Sequence, residues 1–372
     1  MRVLHFFKTS IADGAGGTEH VMDTLAQGTG RLGIDVDVLA LSRNPVPATT
    51  DMGGYRLHRS RLDLEVASTG MSLSVIPRFA DMARRADLVH YHFPWPFMDL
   101  VHFLARVKKP SVVTYHSDIV RQRGLLRLYR PVMNRFLADV THIVPTSPNY
   151  MQTSEVLAGF RHKTSVIPIG VDRVAYPAPD VGSGDYWRQR FGSRFFLFIG
   201  VLRYYKGLHI LLQAAQGTEF PVVIVGAGPT EAELKAQAAQ LGLSNVHFLG
   251  HVSETDKAVL LEACYGVVFP SHLRSEAFGV SLLEGAMFGK PMISSEIGTG
   301  TTFVNMSGET GLVVPPADPA ALRQAMRQLW EHPEQAAEMG KRAYARYLSH
   351  FTADRMCQSY ADLYWRLVEG RG

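Results

Sequence analysis

The chain has 372 residues, 46% of them hydrophobic and 19% charged, with a formal net charge of +4. At roughly 100–200 residues per domain, this length asks for two domains. The composition excludes wholesale disorder and collagen-like or low-complexity chains, and two distant cysteines, Cys264 and Cys357, exclude a disulfide framework, match no zinc spacing and read as free thiols in a reducing compartment.

In chain order, the first apolar run is Val3–Phe7, which ends at Lys8. It is shorter than the about 7–15 residues of a secretory leader core, and no run nears the roughly 18 that span a bilayer. It reads as a first β-strand, and the chain as cytoplasmic. Gly14-Ala-Gly16-Gly17-Thr18-Glu19 follows and opens a helical pattern over Thr18–Leu32. Adjacent glycines entering a helix make either a backbone-lined anion site or a plain flexible turn. Val36–Leu41, Leu88–Tyr91, Ser111–Tyr115 and His142–Pro145 read as further buried strands. Asp35-Val-Asp37 looks like an acid-x-acid metal motif but lies inside a strand pattern with both acids on one face. It is taken as structural, and no metal site is inferred.

His116 follows the Ser111–Tyr115 strand, where an imidazole can exchange a hydrogen bond with a sugar hydroxyl. His90 and His92 are rivals, or shape the acceptor side, and in a chain with 15 histidines any one of them can be structural. From Ile119 to Ala138 no acid interrupts Arg121, Arg123, Arg127, Arg130 and Arg135, which alternate with apolar residues. This reads as a basic amphipathic surface for anionic lipid, or as a helix with a basic solvent face. Residues 1–175 carry 21 Lys and Arg against 15 Asp and Glu, whereas the remainder carries 17 against 19. The excess is too small for nucleic acid and suits an anionic surface or a phosphorylated ligand.

The turn-rich stretch 172–192 reads as a linker. The strand–helix pattern then restarts, with strands over Phe195–Ile199, Val222–Val225, Val246–Leu249, Val267–Phe269, Met292–Ser294 and Gly311–Val314. Alternation of this kind builds parallel sheets covered by helices on both faces. The expected fold is α/β, with two Rossmann-like doubly wound domains facing across a cleft. The boundaries are 1–171, 172–192 (linker), 193–351 and 352–372, a last helix that is long for a tail and packs on something.

Ligands of doubly wound sheets bind beyond the strand ends, so the loops there hold the candidate chemistry. After Val267–Phe269, Glu276-Ala-Phe278-Gly279-Val280 leads through a helix start to Glu284. Free N–H groups of Phe278, Gly279 and Val280 suit an anion or a sugar hydroxyl, and Glu284 can accept from two ribose hydroxyls. The bland alternative is one glutamate capping the helix and another on a solvated face. After Phe195–Ile199, Arg203 and Lys206 precede Gly207. Two cations there can neutralise a diphosphate leaving group without a metal, or be simple surface charges. Gly226-Ala-Gly228 half-matches a dinucleotide fingerprint, but the third glycine and the later acid are missing, which disfavours hydride chemistry.

With these residues together, the sequence resembles the retaining, nucleotide-sugar-dependent glycosyltransferases of family four, which have the GT-B fold. The carriers are Gly16-Gly17, His116, Arg203 with Lys206-Gly207, Gly226-Ala-Gly228-Pro, Leu249-Gly-His251-Val252 and Glu276 through Glu284. The resemblance implies that Gly16 and Gly17 approach the donor phosphate and sugar, and that His116 contacts the transferred sugar. It implies that Arg203 and Lys206 hold the diphosphate, His251 and Val252 flank the base, and Glu276 positions the sugar. Phe278, Gly279 and Val280 then support sugar and phosphate through the backbone, and Glu284 holds the ribose. The resemblance also implies that 1–171 is the acceptor side, that 193–351 is the nucleotide-sugar side and that the helix in 352–372 crosses back to the first domain, and retention would follow a front-side route. No cofactor is implied beyond the nucleotide-sugar co-substrate.

The opening Met1–Thr9, Tyr91–Phe97 and Thr146–Tyr150 look like bacterial O-antigen mannosyl- and rhamnosyltransferases. That implies a GDP-sugar, a saccharide or lipid-pyrophosphate-linked acceptor, and peripheral contact with the inner face of the cytoplasmic membrane through Arg121, Arg123, Arg127 and Arg130. The alternatives are a UDP-sugar transferase of the same fold, a nucleotide-sugar epimerase or hydrolase, and a non-catalytic binding protein.

Overall fold

The computed structural model describes residues 1–14, 16–66, 69–119, 123–177 and 183–370. The chain divides into two units, Met1–Gly170 with Ala353–Gly372, and Val171–Thr352.

The first unit opens with β1 (Arg2–Phe7), α1 (Gly17–Arg31), β2 (Asp35–Ser42), β3 (Thr49–Asp51) and β4 (Arg56–Arg61). A small hairpin, β5 (Leu64–Val66) and β6 (Thr69–Met71), leads to α2 (Val75–Arg85), β7 (Leu88–Phe93) and α3 (Pro96–Leu104). β8 (Ser111–Tyr115), α4 (Arg123–Asp139), β9 (His142–Pro145), α5 (Pro148–Thr153) and α6 (Glu155–Ala158) complete it. The second unit contains α7 (Ser183–Phe191), β10 (Phe196–Ile199), α8 (Leu208–Ala215), β11 (Val222–Val225), α9 (Glu231–Gln240) and β12 (Val246–Gly250). It continues through α10 (Glu254–Ala263), β13 (Gly266–Phe269), α11 (Val280–Met287), β14 (Met292–Ser295), α12 (Thr301–Val304) and β15 (Gly311–Val314). α13 (Pro319–Glu331) and α14 (Pro333–His350) end it, and α15 (Ala353–Glu369) belongs to the first unit.

The second sheet has the order β12-β11-β10-β13-β14-β15, all parallel. In units of crossover this is 3-2-1-4-5-6, the doubly wound dinucleotide-fold order. The first sheet repeats it as β4-β2-β1-β7-β8-β9, with β3 added antiparallel at the edge. The short apolar runs become strands because both faces are covered. β7, β8, β10 and β11 are buried along their whole length, as central parallel strands must be. α15 packs on α1 through close backbone approach: a Cβ at Gly28 would lie 2.2 Å from Cys357 Sγ.

One feature departs from the sequence pattern. The stretch 172–192, expected as a linker, contains helix α7 within the second unit, which starts at Val171. Trp187 and Phe191 are both buried and stack at 5.7 Å, and Phe191 packs on Phe195 and His247. Their burial outweighs the turn residues around them. Pro179 and Gly182, which belong to those turn residues, lie outside the described residues. The acids of Asp35-Val-Asp37 are structural, as expected. Arg56 Nε donates to Asp37 at 2.9 Å, His58 Nε2 lies 2.8 Å from the same carboxylate, and Arg2 and Arg56 hold Asp35.

Candidate active site

Where the strand order of a doubly wound sheet reverses, the loops beyond the two central strands splay apart and leave room for a ligand. In the second sheet this point lies between β10 and β13. The chain leaves β10 through Gly200 and enters a 3-10 turn, Tyr204–Lys206, preceded by Arg203 and closed by Gly207 at φ 70°. The turn delivers Lys206 to the loop after β13, where its Nζ donates to Glu276 Oε2 at 2.6 Å. The two side chains are only 12% and 10% exposed. Ser271 Oγ donates to the same oxygen at 3.3 Å, and the ammonium lies 4.7 Å from the Phe269 ring centroid. Arg203 is exposed and makes no ion pair among the described residues.

Gly279, at φ 90°, stands as N-cap of α11 without a side chain to fill the cap. Leu282 and Leu283 donate to Gly279 O, at 2.9 and 3.4 Å, which leaves the N–H groups of Val280 and Ser281 without an intrahelical acceptor. Ser281 Oγ donates to Ile199 O at 2.8 Å and ties this turn to the end of β10. Phe278 is buried and packs edge-on to Phe351, so only its backbone is left for a ligand.

Glu284 sits one turn into α11 and is buried. Tyr176 donates to its Oε1 at 2.5 Å, and Lys257 Nζ lies 3.2 Å from the same atom. Lys257 also pairs with Glu254 at 2.6 Å. Burial works against the Lys257 charge, but Glu284 and Glu254 outweigh it and raise its pKa. Burial first, then Glu284, pushes the Tyr176 phenol well up. Sequence reasoning missed both partners. Tyr176 lay in the expected linker and Lys257 on a helix surface pattern, and neither has a local signal for a contact made across the fold.

His251 is exposed at the end of edge strand β12, with its Nδ1 2.8 Å from Val252 O. The structure brings neither His251 nor Val252 into contact with Glu276 or Glu284 through any hydrogen bond or ion pair among the described residues. Gly226 and Gly228 have a packing role: Cβ atoms there would lie 2.0 Å from Gly200 O and 2.4 Å from Leu202 O. They let the loop after β11 lie directly on the loop that carries Arg203.

In the first unit, Gly16 is the N-cap of α1 and Gly17 its first residue. Glu19, silent in the sequence pattern, folds back over this turn, and a Cβ at Gly16 would meet its Oε2 at 2.2 Å. Burial raises the Glu19 pKa against a backbone hydrogen bond and the nearby Lys8 and His20. Beyond β8, His116 is 8% exposed, and its Nε2 lies 3.1 Å from His92 Nδ1. His90 and His92, the rival candidates, are fully buried. His90 is spent on Tyr364 at 2.6 Å and Thr114 at 2.7 Å, so neither ring opens to a ligand. A strand residue on a fully covered sheet has no free face, which the sequence alone could not reveal for these two.

Burial keeps these imidazoles neutral, lowering His116 to about 4 and His5 to about 3 from 6.5. Between those values the unfolded chain binds protons that the folded chain does not. Stability is therefore expected to fall as pH drops from 6.5 towards 4 and to level off below about 3. Urea unfolding followed from pH 7.5 to 4 checks the sign; a flat profile would mean these rings are charged or solvated when folded.

The two reversed-order sheets, with a cation–carboxylate pair at the second reversal, define a two-Rossmann glycosyltransferase of the GT-B class. The chain belongs to glycosyltransferase family 4: residues 15–174 match the model described as Glycosyltransferase Family 4, and residues 187–346 that of Glycosyl transferases group 1. It is 64% identical over 353 residues to a D-rhamnosyltransferase of Pseudomonas aeruginosa, covering 95% of this chain and 93% of that one. It is 47% identical to the O-antigen chain mannosyltransferase C of Escherichia coli, over the full length of both. Among solved structures it resembles a sucrose-phosphate synthase from Thermosynechococcus elongatus, with a TM-score of 0.83 at 22% identity over 99% of each chain.

Proposed function

We propose that the enzyme transfers a hexose, mannose or rhamnose, from a GDP-sugar to a saccharide or lipid-pyrophosphate-linked saccharide in O-antigen synthesis, with retention and without a metal. The observation that carries this reading is the buried Lys206–Glu276 pair at the reversal point of the second sheet. The mannosyl- and rhamnosyltransferase names of its relatives support the sugar and the pathway.

The bond from sugar C1 to the diphosphate oxygen breaks, and negative charge gathers on the leaving phosphate. Arg203, Lys206 and the first N–H groups of α11 face that charge, and supply what a divalent ion would otherwise contribute. The acceptor hydroxyl bonds C1 on the face the diphosphate leaves, and its proton passes to the departing phosphate oxygen. Glu276 anchors Lys206 and positions the sugar, while Glu284 takes the ribose hydroxyls. His251 and Val252 flank the base. Gly16, Gly17 and His116 contact the donor phosphate and the sugar.

A thermal-shift panel of GDP, UDP, ADP and dTDP tests the donor. At a hundred times its dissociation constant, a ligand of the folded state adds about 2.7 kcal/mol. Selective stabilisation by GDP, lost in Arg203→Ala and unchanged by EDTA, is the expected result. A UDP preference removes the GDP assignment, and no response to any nucleotide removes the transferase mechanism. Donor consumption that acceptor does not accelerate would favour a hydrolase or epimerase. The anomeric configuration of the product, read by NMR, tests retention.

The exposed face of α4 carries Arg127, Leu128, Arg130, Val132 and Arg135, while Met133, Phe136 and Leu137 face inward. Arg121 lies outside the described residues, as does the side chain of Arg123. Leu128, 78% exposed among arginines, suits insertion into an anionic membrane surface. No described helix is long and apolar enough to cross a membrane. Sedimentation with phosphatidylglycerol vesicles, reduced severalfold by Leu128→Asp and absent with phosphatidylcholine, is expected; equal binding to both removes this contact.

A further inference from the structure

We propose that His5 and His92 fix the tautomer of His116, so that His116 meets its ligand as a neutral N–H donor at Nδ1. Three imidazoles from the adjacent strands β1 and β7 and the end of β8 stand in line. His5 Nδ1 lies 3.1 Å from His92 Nε2, and His92 Nδ1 lies 3.1 Å from His116 Nε2. The rings of each pair stack at 5.4 Å between centroids. His5 and His92 are fully buried and His116 nearly so.

A neutral imidazole carries one N–H and one bare nitrogen. Two hydrogen bonds among three neutral rings therefore allow only two arrangements. In the first, His116 donates from Nε2 to His92, His92 donates from Nε2 to His5, and His5 holds its remaining N–H at Nε2. In the second, His5 donates from Nδ1 to His92, His92 donates from Nδ1 to His116, and the His116 proton sits on Nδ1. The three tautomers move together, so the inner end of the line decides the outer end.

The inner end is His5 Nε2, which is buried with no hydrogen-bond partner. The first arrangement leaves a donor bare there, and the second leaves an acceptor bare. Orphaned buried N–H groups are the rarer of the two in folded proteins, and an unmade donor carries its full desolvation cost. The second arrangement wins, and Nδ1–H of His116 is the product. That atom has no protein partner among the described residues and is not among the buried unpartnered atoms, so it is open to a ligand.

Nothing packed around the line changes this result. His90 stacks on His92 and lies tilted against His5, both at 4.6 Å, but Tyr364 and Thr114 take both its nitrogens. The edges of Tyr364 and Phe7 complete the wall. No described carboxylate bonds to His5, His92 or His116, so none orients the ring as an acid usually does. His5, His90 and His92 also lie close enough to suggest a cation site. With both nitrogens of His90 and of His92 engaged, only His5 Nε2 remains, and one lone pair does not hold a metal. The line also has no exit: a proton taken up by His116 has no acceptor beyond His5. His116 therefore donates to a ligand oxygen and does not serve as a base through this line. The catalytic meaning rests on the reading that His116 faces the transferred sugar.

The test is nitrogen-15 NMR on the full chain with labelled histidine, near neutral pH. For the wild type, His116 is expected to show a protonated Nδ1 and a bare Nε2; the opposite pattern overturns the proposal. His92→Phe keeps a flat buried ring but removes the donor. His116 is then expected to lose its Nδ1–H preference, with transfer slowed about tenfold, the value of one hydrogen bond in the transition state. Unchanged His116 shifts in that variant also overturn the proposal. Should His92→Phe not fold, the wild-type spectrum decides alone. Full activity in His116→Ala would remove the sugar contact and leave the tautomer assignment standing, so the two failures are distinct.

Discussion

Glu276→Gln is expected to slow sugar transfer by about 10²–10³ while the protein remains folded and still binds nucleotide; loss of one electrostatic contact to a transition state has this size. The substitution keeps the shape of the side chain and one oxygen acceptor, and removes only the charge. In the wild type that charge sits 2.6 Å from Lys206 Nζ in a pocket where both side chains are nearly covered. Stripped of its partner, Lys206 is a cation over the Phe269 ring with only neutral acceptors nearby. Breaking a fully buried pair costs about 3–5 kcal/mol, and the residual exposure of both groups puts this site below that range. The melting point is therefore expected to drop by a few degrees, much less than a tenfold-per-1.4 kcal/mol loss in rate would require if unfolding caused it. Single-turnover rates with saturating donor, read beside a thermal melt, separate the two. A wild-type rate would reduce the pair to a structural contact. A rate loss that simply follows the unfolded fraction would do the same.

Gly207→Ala is expected to be strongly destabilising. Gly207 stands at φ 70°, and a Cβ there would lie 2.0 Å from Pro270 O and 2.9 Å from its carbonyl carbon. Both atoms are backbone of the loop that carries Glu276, so relief moves that loop away from Lys206. The left-handed conformation alone costs a non-glycine residue about 1–2 kcal/mol. Gly217 separates the two effects, since it has the same φ of 70° and nothing within 4 Å of an added methyl. Gly217→Ala should lose about 1–2 kcal/mol in urea unfolding, and Gly207→Ala at least about 4, into the range that marks a definite steric fault. Equal losses in the two variants would mean that the contact with Pro270 is soft and that the loop approach does not depend on glycine.

Much of the architecture was legible because it is local. Runs such as Phe195–Ile199 and Leu88–Tyr91 are continuous and apolar, and only strands covered on both faces tolerate that. Their alternation with longer helical patterns specified parallel sheets. Glycines beside chemistry-bearing residues, Gly207 after Lys206 and Gly279 after Glu276, marked the strand-to-helix turns. α7 was not legible, since its turn residues dominate the local composition, while Phe191 packs on Phe195 and His247 and Trp187 on Phe191.

The sequence by itself determined which residues stand at the ends of strands, because strand and turn signals are carried by neighbours. It placed Arg203, Lys206 and Glu276 in such positions and Glu284 in the helix that follows, but it held no information on which side chains meet. Only the tertiary structure decided that Lys206 pairs with Glu276, that Glu284 is held by Tyr176, 108 residues away, and by Lys257, and that His5 stands behind His92 and His116. It also decided that His90 and His92 are closed to ligand and that Gly226 and Gly228 serve packing. The reason is physical. A hydrogen bond or ion pair between distant elements depends on sheet order and register, and these are fixed by the sum of all the packing in the unit rather than by the residues that make the contact.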